Sequence, residues 1–331
     1  MLKKGIIFSK FTKKTQIRLA ILIKYPYNEA RKEIFMSACS ICPRKCNIDR
    51  ACHRGFCQEG DVMRVSRIAP HFYEEPPISH KNGSGTVFFS GCNLRCVFCQ
   101  NKSISQGERI GKEYSQSELI DALVALQESG VHNVNLVTPT HFASQIAKML
   151  AEMKARDLLR VPVVYNSSGY ESIDTLKSLD GLIDVYMPDL KYFSSELSAK
   201  YSSAPDYFEV ASAAIVEMLR QRGKYRYSAE NPDLLASGVI VRHLVLPSHR
   251  KDSIDALTHL SSLIDPSDVL ISLMSQYTPD FALDTPFTNL HRRITSFEYN
   301  SVCDAALSLG FDGFMQSRSS ASAAYTPEFG S

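Results

Sequence analysis

The chain alternates short apolar runs with amphipathic segments from Thr86 onward, and this rhythm restricts the fold more than any other feature. The six runs cover residues 86–89, 134–137, 161–165, 182–187, 239–246 and 269–274. Each is almost wholly apolar, as expected of a strand covered on both faces, and a segment with helical apolar spacing follows it. Such strands pair in parallel through right-handed crossovers. The alternation therefore predicts an α/β fold with six βα units and favours a barrel-like sheet.

The helices predicted between these runs carry boundary signals of their own. Ser115 and Glu118 have the spacing of a capping box, and Gly130 supplies a stop after an apolar stripe. The predicted helices lie around residues 115–129, 142–153, 173–179, 206–220, 252–264 and 297–309. In such folds the loops after the strands converge at one edge of the sheet. We therefore expect functional side chains just beyond the strands.

Composition indicates a folded chain without membrane spans. Of 331 residues, 44% are apolar and 22% charged, which excludes disordered and fibrous classes. No apolar run reaches the roughly 20 residues of a membrane span, and no signal-peptide pattern is present. We therefore expect a cytoplasmic location, reduced thiols and no membrane partner. The net charge of +2 gives no reason to expect nucleic-acid binding.

The two ends differ from the middle of the chain. Residues 1–60 carry 13 basic and 4 acidic side chains. The basic leader is either a solvated segment or an organelle-targeting signal, which is the alternative to a cytoplasmic location. The C-terminal stretch is rich in Ser and Ala without periodicity. The predicted division is a basic leader (1–38), a Cys-rich extension (39–85), a core barrel (86–316) and a disordered tail (317–331).

Eight of the nine cysteines lie between Cys39 and Cys99. Three of them, Cys92, Cys96 and Cys99, follow the first predicted strand with the spacing C-x3-C-x2-C. Three thiolates so close can ligate one metal centre, yet they are one short of a closed four-cysteine site. An open coordination position is typical of catalytic metal sites. A zinc knuckle completed by a nearby His or Cys, or three buried thiols, is the alternative.

This loop, with the aromatic Phe98 before its last cysteine, resembles the signature of the radical SAM superfamily. The resemblance spans about residues 39–310 and points to an uncharacterised subgroup related to pyruvate formate-lyase activating enzyme. The short motifs that carry it are Cys42-Pro43-Arg44, Glu74-Glu75-Pro76, Gly83-Ser84-Gly85, Asn166-Ser167-Ser168-Gly169, Pro188-Asp189-Leu190-Lys191 and Arg242-His243-Leu244-Val245-Leu246-Pro247. The resemblance implies a partial (β/α)6 barrel of the radical SAM type, preceded by the Cys-rich extension.

The resemblance also implies cofactors and a reaction. A [4Fe–4S] cluster on Cys92, Cys96 and Cys99 would bind S-adenosylmethionine (SAM) at its open iron and cleave it reductively to a 5′-deoxyadenosyl radical. That radical would abstract a hydrogen atom from a glycyl radical enzyme, or else from a small molecule or another macromolecule. The electron would come from a reducing partner such as flavodoxin or ferredoxin. A non-enzymatic zinc or iron–sulfur binding protein is the alternative of another class.

Eight residues are assigned to SAM binding from their places in these motifs. Asp189 and Lys191 follow the fourth strand and together suit the ammonium and carboxylate of the methionyl part of SAM. Arg242 lies inside the fifth strand, where a guanidinium must be paired, and the carboxylate of SAM would pair with it. The other five are Phe98, Thr138, Thr140, Asn166 and Ser167, and no catalytic residue is assigned.

Two of these assignments sit in a departure from the superfamily pattern. Thr138-Pro139-Thr140-His141 stands after the second strand, where most radical SAM proteins carry Gly-Gly-Glu. Thr138 and Thr140 would receive the ammonium of SAM through oxygen atoms, and no carboxylate is expected locally. His243, next to Arg242, should face the opposite side of its strand as a satisfied buried histidine. We interpret His71, Glu74 and Glu75 as a polar linker into the barrel, and a contribution to substrate binding is the alternative.

Five cysteines crowd the extension within 19 residues. In a reducing compartment such crowding indicates metal binding, because a packed core rarely needs so many thiols. Four soft ligands suit either a second iron–sulfur cluster or a tetrahedral zinc, and unliganded thiols are the alternative. Cys39, Cys42, Cys46 and Cys57 match the pattern of the resembled subgroup and are assigned to this centre, whereas Cys52 is extra.

Overall fold

One ten-stranded sheet organises the molecule. The computed structural model describes residues 38–316 and Phe329. The strands are β1 (Met63–His71), β2 (Ser84–Phe89), β3 (Lys112–Tyr114), β4 (Val134–Val137), β5 (Val163–Ser167), β6 (Val185–Pro188), β7 (Arg226–Tyr227), β8 (Leu235–Leu244), β9 (Leu270–Met274) and β10 (Asp312–Met315). They pair in the order β10-β9-β8-β6-β5-β4-β2-β1-β3, and β7 pairs with β8 beside this row.

Helices fill most of the connections between these strands. They are α1 (Pro76–Ser79), α2 (Lys102–Ser105), α3 (Gln116–Glu128), α4 (Ala143–Ala155), α5 (Ile173–Ser178), α6 (Ser195–Ser202), α7 (Tyr207–Arg222), α8 (Arg250–Ser261) and α9 (Ser296–Ser308). The predicted capping box is present at the start of α3. The Glu118 backbone N–H donates to the Ser115 hydroxyl, and the Ser115 backbone N–H donates to the Glu118 carboxylate.

Six parallel strands confirm the predicted βα units. The strands β2, β4, β5, β6, β8 and β9 are parallel neighbours in this order. They match the six apolar runs, because each run supplies a strand that is covered on both faces. The strand β10 extends the row by pairing in parallel with β9. Since these strands share one direction, their carboxyl ends meet at one edge of the sheet.

The first strand belongs to the same sheet although it precedes the parallel row. β1 pairs antiparallel with β2 on one side and with β3 on the other. Residues 63–71, predicted as part of the Cys-rich extension, are therefore a strand of the central sheet. Met63 and Val65 are buried and alternate with less buried residues, as expected of a strand covered mainly on one face. Residues 38–62 contain no helix or strand.

The core lies where the helices cover the sheet. Leu119 and Leu123 of α3 and Met149 of α4 are fully buried together with the strand residues Leu136 and Tyr165. Burying a large apolar side chain contributes about 1.5–3 kcal/mol, so these faces hold the helices on the sheet. The carboxyl edge of the sheet remains free of this packing and is covered by loops.

Two sequence predictions concern segments that the structure largely leaves out. The leader predicted for residues 1–38, apart from its last residue, and the tail predicted for residues 317–331, apart from Phe329, lie outside the described residues. Across residues 38–316, no helix is both long and apolar enough to cross a membrane.

Candidate active site

A pocket of about 240 Å³ opens at the carboxyl edge of the parallel strands. Its lining residues lie at or just beyond the ends of all six strands, where such folds place their functional groups. All three predicted cluster cysteines line it, and so do seven of the eight residues assigned to SAM: Phe98, Thr138, Asn166, Ser167, Asp189, Lys191 and Arg242. The eighth, Thr140, does not. The expectation that functional side chains lie just beyond the strands therefore selected residues that are far apart in sequence but line one pocket.

The loop after β2 holds its three cysteines against the pocket. Cys96 is buried, and Cys92 and Cys99 are half-buried; none is in a disulfide. Burial raises the pKa of all three thiols, that of Cys99 to about 12. The nearby Lys191 ammonium lowers the pKa of Cys96 and so partly offsets the effect of burial on this thiol. A positive neighbour favours the thiolate, which is the form that binds metal.

Backbone geometry requires the glycine that begins this loop. Gly91 has a φ of +82°, a region that favours glycine. A Cβ atom there would lie 2.4 Å from the carbonyl oxygen of Cys57. The Cys-rich segment therefore packs directly on the backbone next to Cys92.

The polar side chain of Asn93 fixes the middle of the loop. Asn93 is 1% exposed, and its Nδ2 donates to the carbonyl of Tyr170 at 2.7 Å. The backbone N–H of Val97 donates to the carbonyl of Tyr201 at 2.9 Å. These bonds join the loop to the segments after β5 and in α6. The three cysteines are therefore held by residues from distant parts of the chain.

Phe98 anchors the last turn of the loop. Its ring packs edge-on against Tyr192, Tyr201 and Tyr277, with centroid distances of 6.0–6.5 Å. Aromatic pairs in this geometry contribute about 0.5–1.5 kcal/mol beyond their buried area. Phe98 lines the pocket and at the same time orients the flanking Cys99.

A chain of alternating charges crosses the opposite wall of the pocket. Lys191 Nζ donates to Asp189 Oδ2 at 2.5 Å, and Arg242 Nε donates to Asp189 Oδ1 at 3.1 Å. Arg242 also donates from Nη1 to Glu74 Oε2 at 3.4 Å and from Nη2 to Asn166 Oδ1 at 2.7 Å. From the sequence, we expected the carboxylate of SAM to pair with Arg242. The protein itself provides two carboxylates and an amide.

The pKa shifts in this network follow from burial and pairing. Burial would raise the pKa of Asp189, but Lys191 and Arg242 together hold it below its ordinary value. Burial would lower the pKa of Lys191, but Asp189 raises it overall. Burial raises the pKa of Glu74, and the Arg242 guanidinium only partly offsets this effect. Asp189 and Lys191 therefore stand as an ion pair, and Glu74 is the member of the network closest to protonation.

Glu74 is a pocket residue that sequence analysis interpreted as part of a linker. It lines the pocket beside His71 and Tyr73, and it accepts hydrogen bonds from Asn135 and Asn166 as well as Arg242. The available signal was the pair of acids that follows residues 63–71 before a proline. The rule for the carboxyl ends of parallel strands does not find it, because β1 is antiparallel to β2 and its end lies beside the start of β2.

The two threonines after β4 have different positions. Thr138 lines the pocket with a φ of +58°, whereas Thr140 is fully buried and donates to Glu171 Oε1 at 2.5 Å. Burial raises the pKa of Glu171 to about 7. The expectation that no carboxylate lies near this segment is therefore wrong, because the turn after β5 folds back and brings Glu171 to Thr140. Glu171 does not line the pocket.

The turn after β5 approaches β6 closely. Gly169 has a φ of +75°, and a Cβ atom there would lie 2.2 Å from the carbonyl oxygen of Asp189. Ser168 lines the pocket next to the predicted Asn166 and Ser167. His243 of β8 is fully buried and its Nδ1 lies 2.6 Å from the Leu190 carbonyl, but its Nε2 has no hydrogen-bond partner among the described residues, so the expected satisfied histidine is satisfied at one nitrogen only.

The four assigned cysteines of the extension lie in a compact loop. A Cβ atom on Gly55 would lie 3.3 Å from Cys46 Sγ and 3.6 Å from Cys57 Sγ. The backbone N–H of Phe56 donates to Cys46 Sγ at 3.3 Å. Cys42 and Cys57 are buried, Cys39 is half-buried, and the extra Cys52 is exposed. Among residues 38–316, no three His, Cys, Asp or Glu side chains form a preformed site for a metal ion.

Comparisons with known proteins give one family match and several similar proteins. Residues 86–235 match the family model described as the radical SAM superfamily. The chain is similar to an uncharacterized protein of Methanocaldococcus jannaschii, with 28% identity over 297 residues that cover 86% of this chain and 78% of that protein. A radical SAM methyltransferase from Sphaerobacter thermophilus has a similar structure, with a TM-score of 0.49 and 15% identity over 70% of this chain and 65% of that chain. A domain of pyruvate-formate lyase-activating enzyme from Bacteroides vulgatus gives a TM-score of 0.37 and 11% identity over 53% of this chain and 91% of that chain.

Proposed function

We propose that the protein is a radical SAM enzyme that uses a [4Fe–4S] cluster and SAM in this pocket, a proposal supported by the match of residues 86–235 to the radical SAM superfamily model. The observation that carries the proposal is the placement of Cys92, Cys96 and Cys99 on the pocket wall formed by the strand ends. The pocket has acidic, basic and amide groups on its other wall. The pocket therefore offers thiol ligands to a cluster and charged partners to a zwitterionic ligand.

The donor set of the loop fits a cluster. Each cysteine of a cubane binds a different iron, so the ligands stand farther apart than those of a single ion. The three thiols of the loop line one pocket. Three ligands leave one iron for an outside group. We assign the cluster to Cys92, Cys96 and Cys99.

The charged wall fits the methionyl part of SAM. Lys191 and Asp189 offer one charge of each sign, which suits a ligand that carries an ammonium and a carboxylate. Asn166, Ser167 and Thr138 add polar groups beside them. Arg242 already has three protein partners, so we assign it the role of holding Asp189 and Asn166 in place.

When bound, the cluster and SAM supply a 5′-deoxyadenosyl radical through one-electron reductive cleavage, with the electron from a flavodoxin- or ferredoxin-type donor. The protein holds the cysteines through the Asn93 and Phe98 contacts described above. It also keeps SAM's charged partners buried, where their interactions are stronger than in water. Leu94 and Phe98 are buried beside the cysteines and limit the access of water.

We propose hydrogen-atom abstraction from a polypeptide, with a glycyl radical enzyme as the first candidate. Two exposed aromatic side chains support a polypeptide substrate: Tyr73 lines the pocket and is 60% exposed, and the adjacent Phe72 is 53% exposed. Exposed aromatic residues beside a pocket are typical of protein-binding surfaces. A small molecule or another macromolecule is the alternative substrate. The reduced thiols suit a cytoplasmic location.

We also propose that Cys39, Cys42, Cys46 and Cys57 hold a second iron–sulfur cluster or a zinc ion. The proximity of Cys46 and Cys57 on either side of Gly55, where an added Cβ atom would meet both sulfurs, and the N–H bond to Cys46 support this proposal. Burial raises the pKa of Cys42 to about 12, so a metal would be needed to keep the thiolate.

Anaerobic reconstitution tests the proposal. We expect the reduced protein to bind about four irons on the loop, as a cubane requires, and to convert SAM to 5′-deoxyadenosine. Cys96→Ala should lose this conversion, whereas Cys303→Ala should retain it, because Cys303 lies on α9 and does not line the pocket. If the wild-type protein bound no iron, the proposal that it is a radical SAM enzyme would be refuted.

The substrate is tested separately. Electron paramagnetic resonance should show a glycyl radical when the reduced, SAM-loaded protein is incubated with a matching glycyl radical enzyme. SAM cleavage without a glycyl radical in any candidate would favour a small molecule or another macromolecule as substrate.

A further inference from the structure

Each cysteine of the loop has a hydrogen-bonding group at its sulfur. Cys92 Sγ accepts from the backbone N–H of Leu94 at 3.4 Å. The Ser105 hydroxyl lies 3.3 Å from Cys99 Sγ. The shortest of the three is a hydrogen bond of 2.9 Å from the Ser202 hydroxyl to Cys96 Sγ. The first two come from the loop and from the short helix that follows it, whereas Ser202 is 106 residues away in the sequence.

Ser202 is turned toward the sulfur in an unusual way for a helical serine. A serine in a helix commonly bonds a carbonyl of its own preceding turn. Ser198, one turn earlier on α6, does this with the Ser195 carbonyl at 3.1 Å. Ser202 bonds Cys96 instead and is fully buried. The contact therefore belongs to the tertiary structure and not to the helix.

Two neighbours hold the Ser202 hydroxyl in this orientation. The Tyr192 hydroxyl lies 2.8 Å from Ser202 Oγ and is buried, so it can donate to the oxygen whose proton points at Cys96. The Arg44 guanidinium donates to the backbone carbonyl of Ser202 at 3.1 Å. The Cys-rich segment thereby fixes the end of α6 against the loop. The order of the hydrogen bonds is Tyr192 to Ser202 to Cys96.

We propose that the Ser202 hydroxyl, oriented by Tyr192, raises the reduction potential of the cluster carried by Cys96. This inference rests on the proposed function. Reduction adds one negative charge to a cluster, so a hydrogen bond to a ligand sulfur stabilises the reduced state more than the oxidised state. Burial strengthens the bond, and the donation from Tyr192 polarises it further. Ser202 is a positioning and tuning residue, because it acts through a cluster ligand.

The test is a redox titration of the reconstituted full-length protein, followed by electron paramagnetic resonance of the reduced cluster. We expect Ser202→Ala to bind iron and sulfide as wild type does, with a lower midpoint potential. A tenfold fall in the ratio of reduced to oxidised cluster at a fixed potential corresponds to a shift of 59 mV for one electron. Ser198→Ala removes a buried hydroxyl from the same helix without touching a cysteine and should leave the potential unchanged.

Tyr192→Phe provides a second variant that keeps the aromatic packing. It should shift the potential in the same direction by a smaller amount, because the Ser202 hydroxyl remains but loses its donor. If Ser202→Ala fails to hold a cluster, Tyr192→Phe decides the question, and an unchanged potential in that variant overturns the inference.

The outcomes separate this inference from the proposed function. A fully loaded Ser202→Ala protein with the wild-type potential would overturn the role of the hydroxyl and leave the enzyme assignment intact. A wild-type protein that takes up no iron on the loop would overturn both. A lowered potential in Ser202→Ala, with Ser198→Ala at the wild-type value, supports the inference.

Discussion

Arg44 Nε donates a hydrogen bond of 2.7 Å to the backbone carbonyl oxygen of Asn93. The guanidinium also lies 4.0 Å from the centroid of the Phe56 ring. Arg44 comes from the Cys-rich segment, and Asn93 lies between the first two cysteines of the cluster loop. One side chain thus joins the two cysteine-bearing regions.

Replacing Arg44 by Met should destabilise the protein. Arg44→Met removes hydrogen bonds from a charged donor to the Asn93 and Ser202 carbonyls, which contribute about 1.5–3 kcal/mol when the donor is charged. We expect urea unfolding to show a free energy of unfolding lower by about 2 kcal/mol. Lys45→Met is the matched control, because Lys45 is exposed. Equal loss in both variants would contradict the prediction.

Loss of the second centre should be separable from loss of the first. Cys42 is a buried member of the proposed second centre, whereas Cys52 is exposed. Cys42→Ala should lose the zinc or the additional iron found in wild type and keep the cluster of the loop, and Cys52→Ala should keep both. Metal and sulfide analysis of anaerobically purified proteins measures this. Identical metal content in wild type and Cys42→Ala would argue against a second centre.

Arg242→Met should be costly because it leaves the buried Glu74 without a cationic partner and leaves Asp189 with Lys191 alone. Asp189 and Glu74 both lose their guanidinium partner, and breaking a buried ion pair costs about 3–5 kcal/mol. Adding Glu74→Gln should restore part of the stability, because the second substitution removes the carboxylate that lost its cationic partner. Arg226→Met, at an exposed position on β7, is the control. Chemical unfolding decides, and a change below about 1 kcal/mol in Arg242→Met would refute the network's importance.

Acid should weaken the fold through His243. Burial lowers the pKa of His243 to about 4, with smaller effects of Lys191 and Asp189. The unfolded chain takes up this proton near pH 6.5, before the folded chain does. Stability is therefore present above pH 6.5 and is lost as the pH falls toward 4, by up to about 1.4 kcal/mol per pH unit.

A histidine variant isolates this contribution. His243→Gln should show a shallower fall in the free energy of unfolding between pH 6.5 and 5.5 than wild type. His53→Gln, at an exposed position, should retain the wild-type slope. Parallel slopes for all three proteins would show that His243 is not the buried group responsible.

The sequence determined the six parallel strands and the cluster loop. Apolar runs identify strands covered on both faces, and helical spacing identifies the segments between them, because both patterns are local. The spacing of Cys92, Cys96 and Cys99 is equally local. The fold rule then placed Asn166, Asp189 and Arg242 at one edge, since parallel strands bring their carboxyl ends together. The rule does not hold for Thr140, which is buried away from the pocket because the chain after Thr138 turns into the core.

Only the tertiary structure decided which side chains meet. Arg242 pairs with Glu74 across 168 residues, and Ser202 reaches Cys96 across 106 residues. Neither partner shows a periodic signal, because a hydrogen bond depends on the position and direction of two groups that the folded sheet and helices set. The mixed apolar and polar sequence of β1 also gave no clear strand signal, although this strand leads to Glu74 at the pocket. Local pattern thus determined the parallel strands and the three-cysteine loop, and packing determined the charges and hydroxyls around that loop.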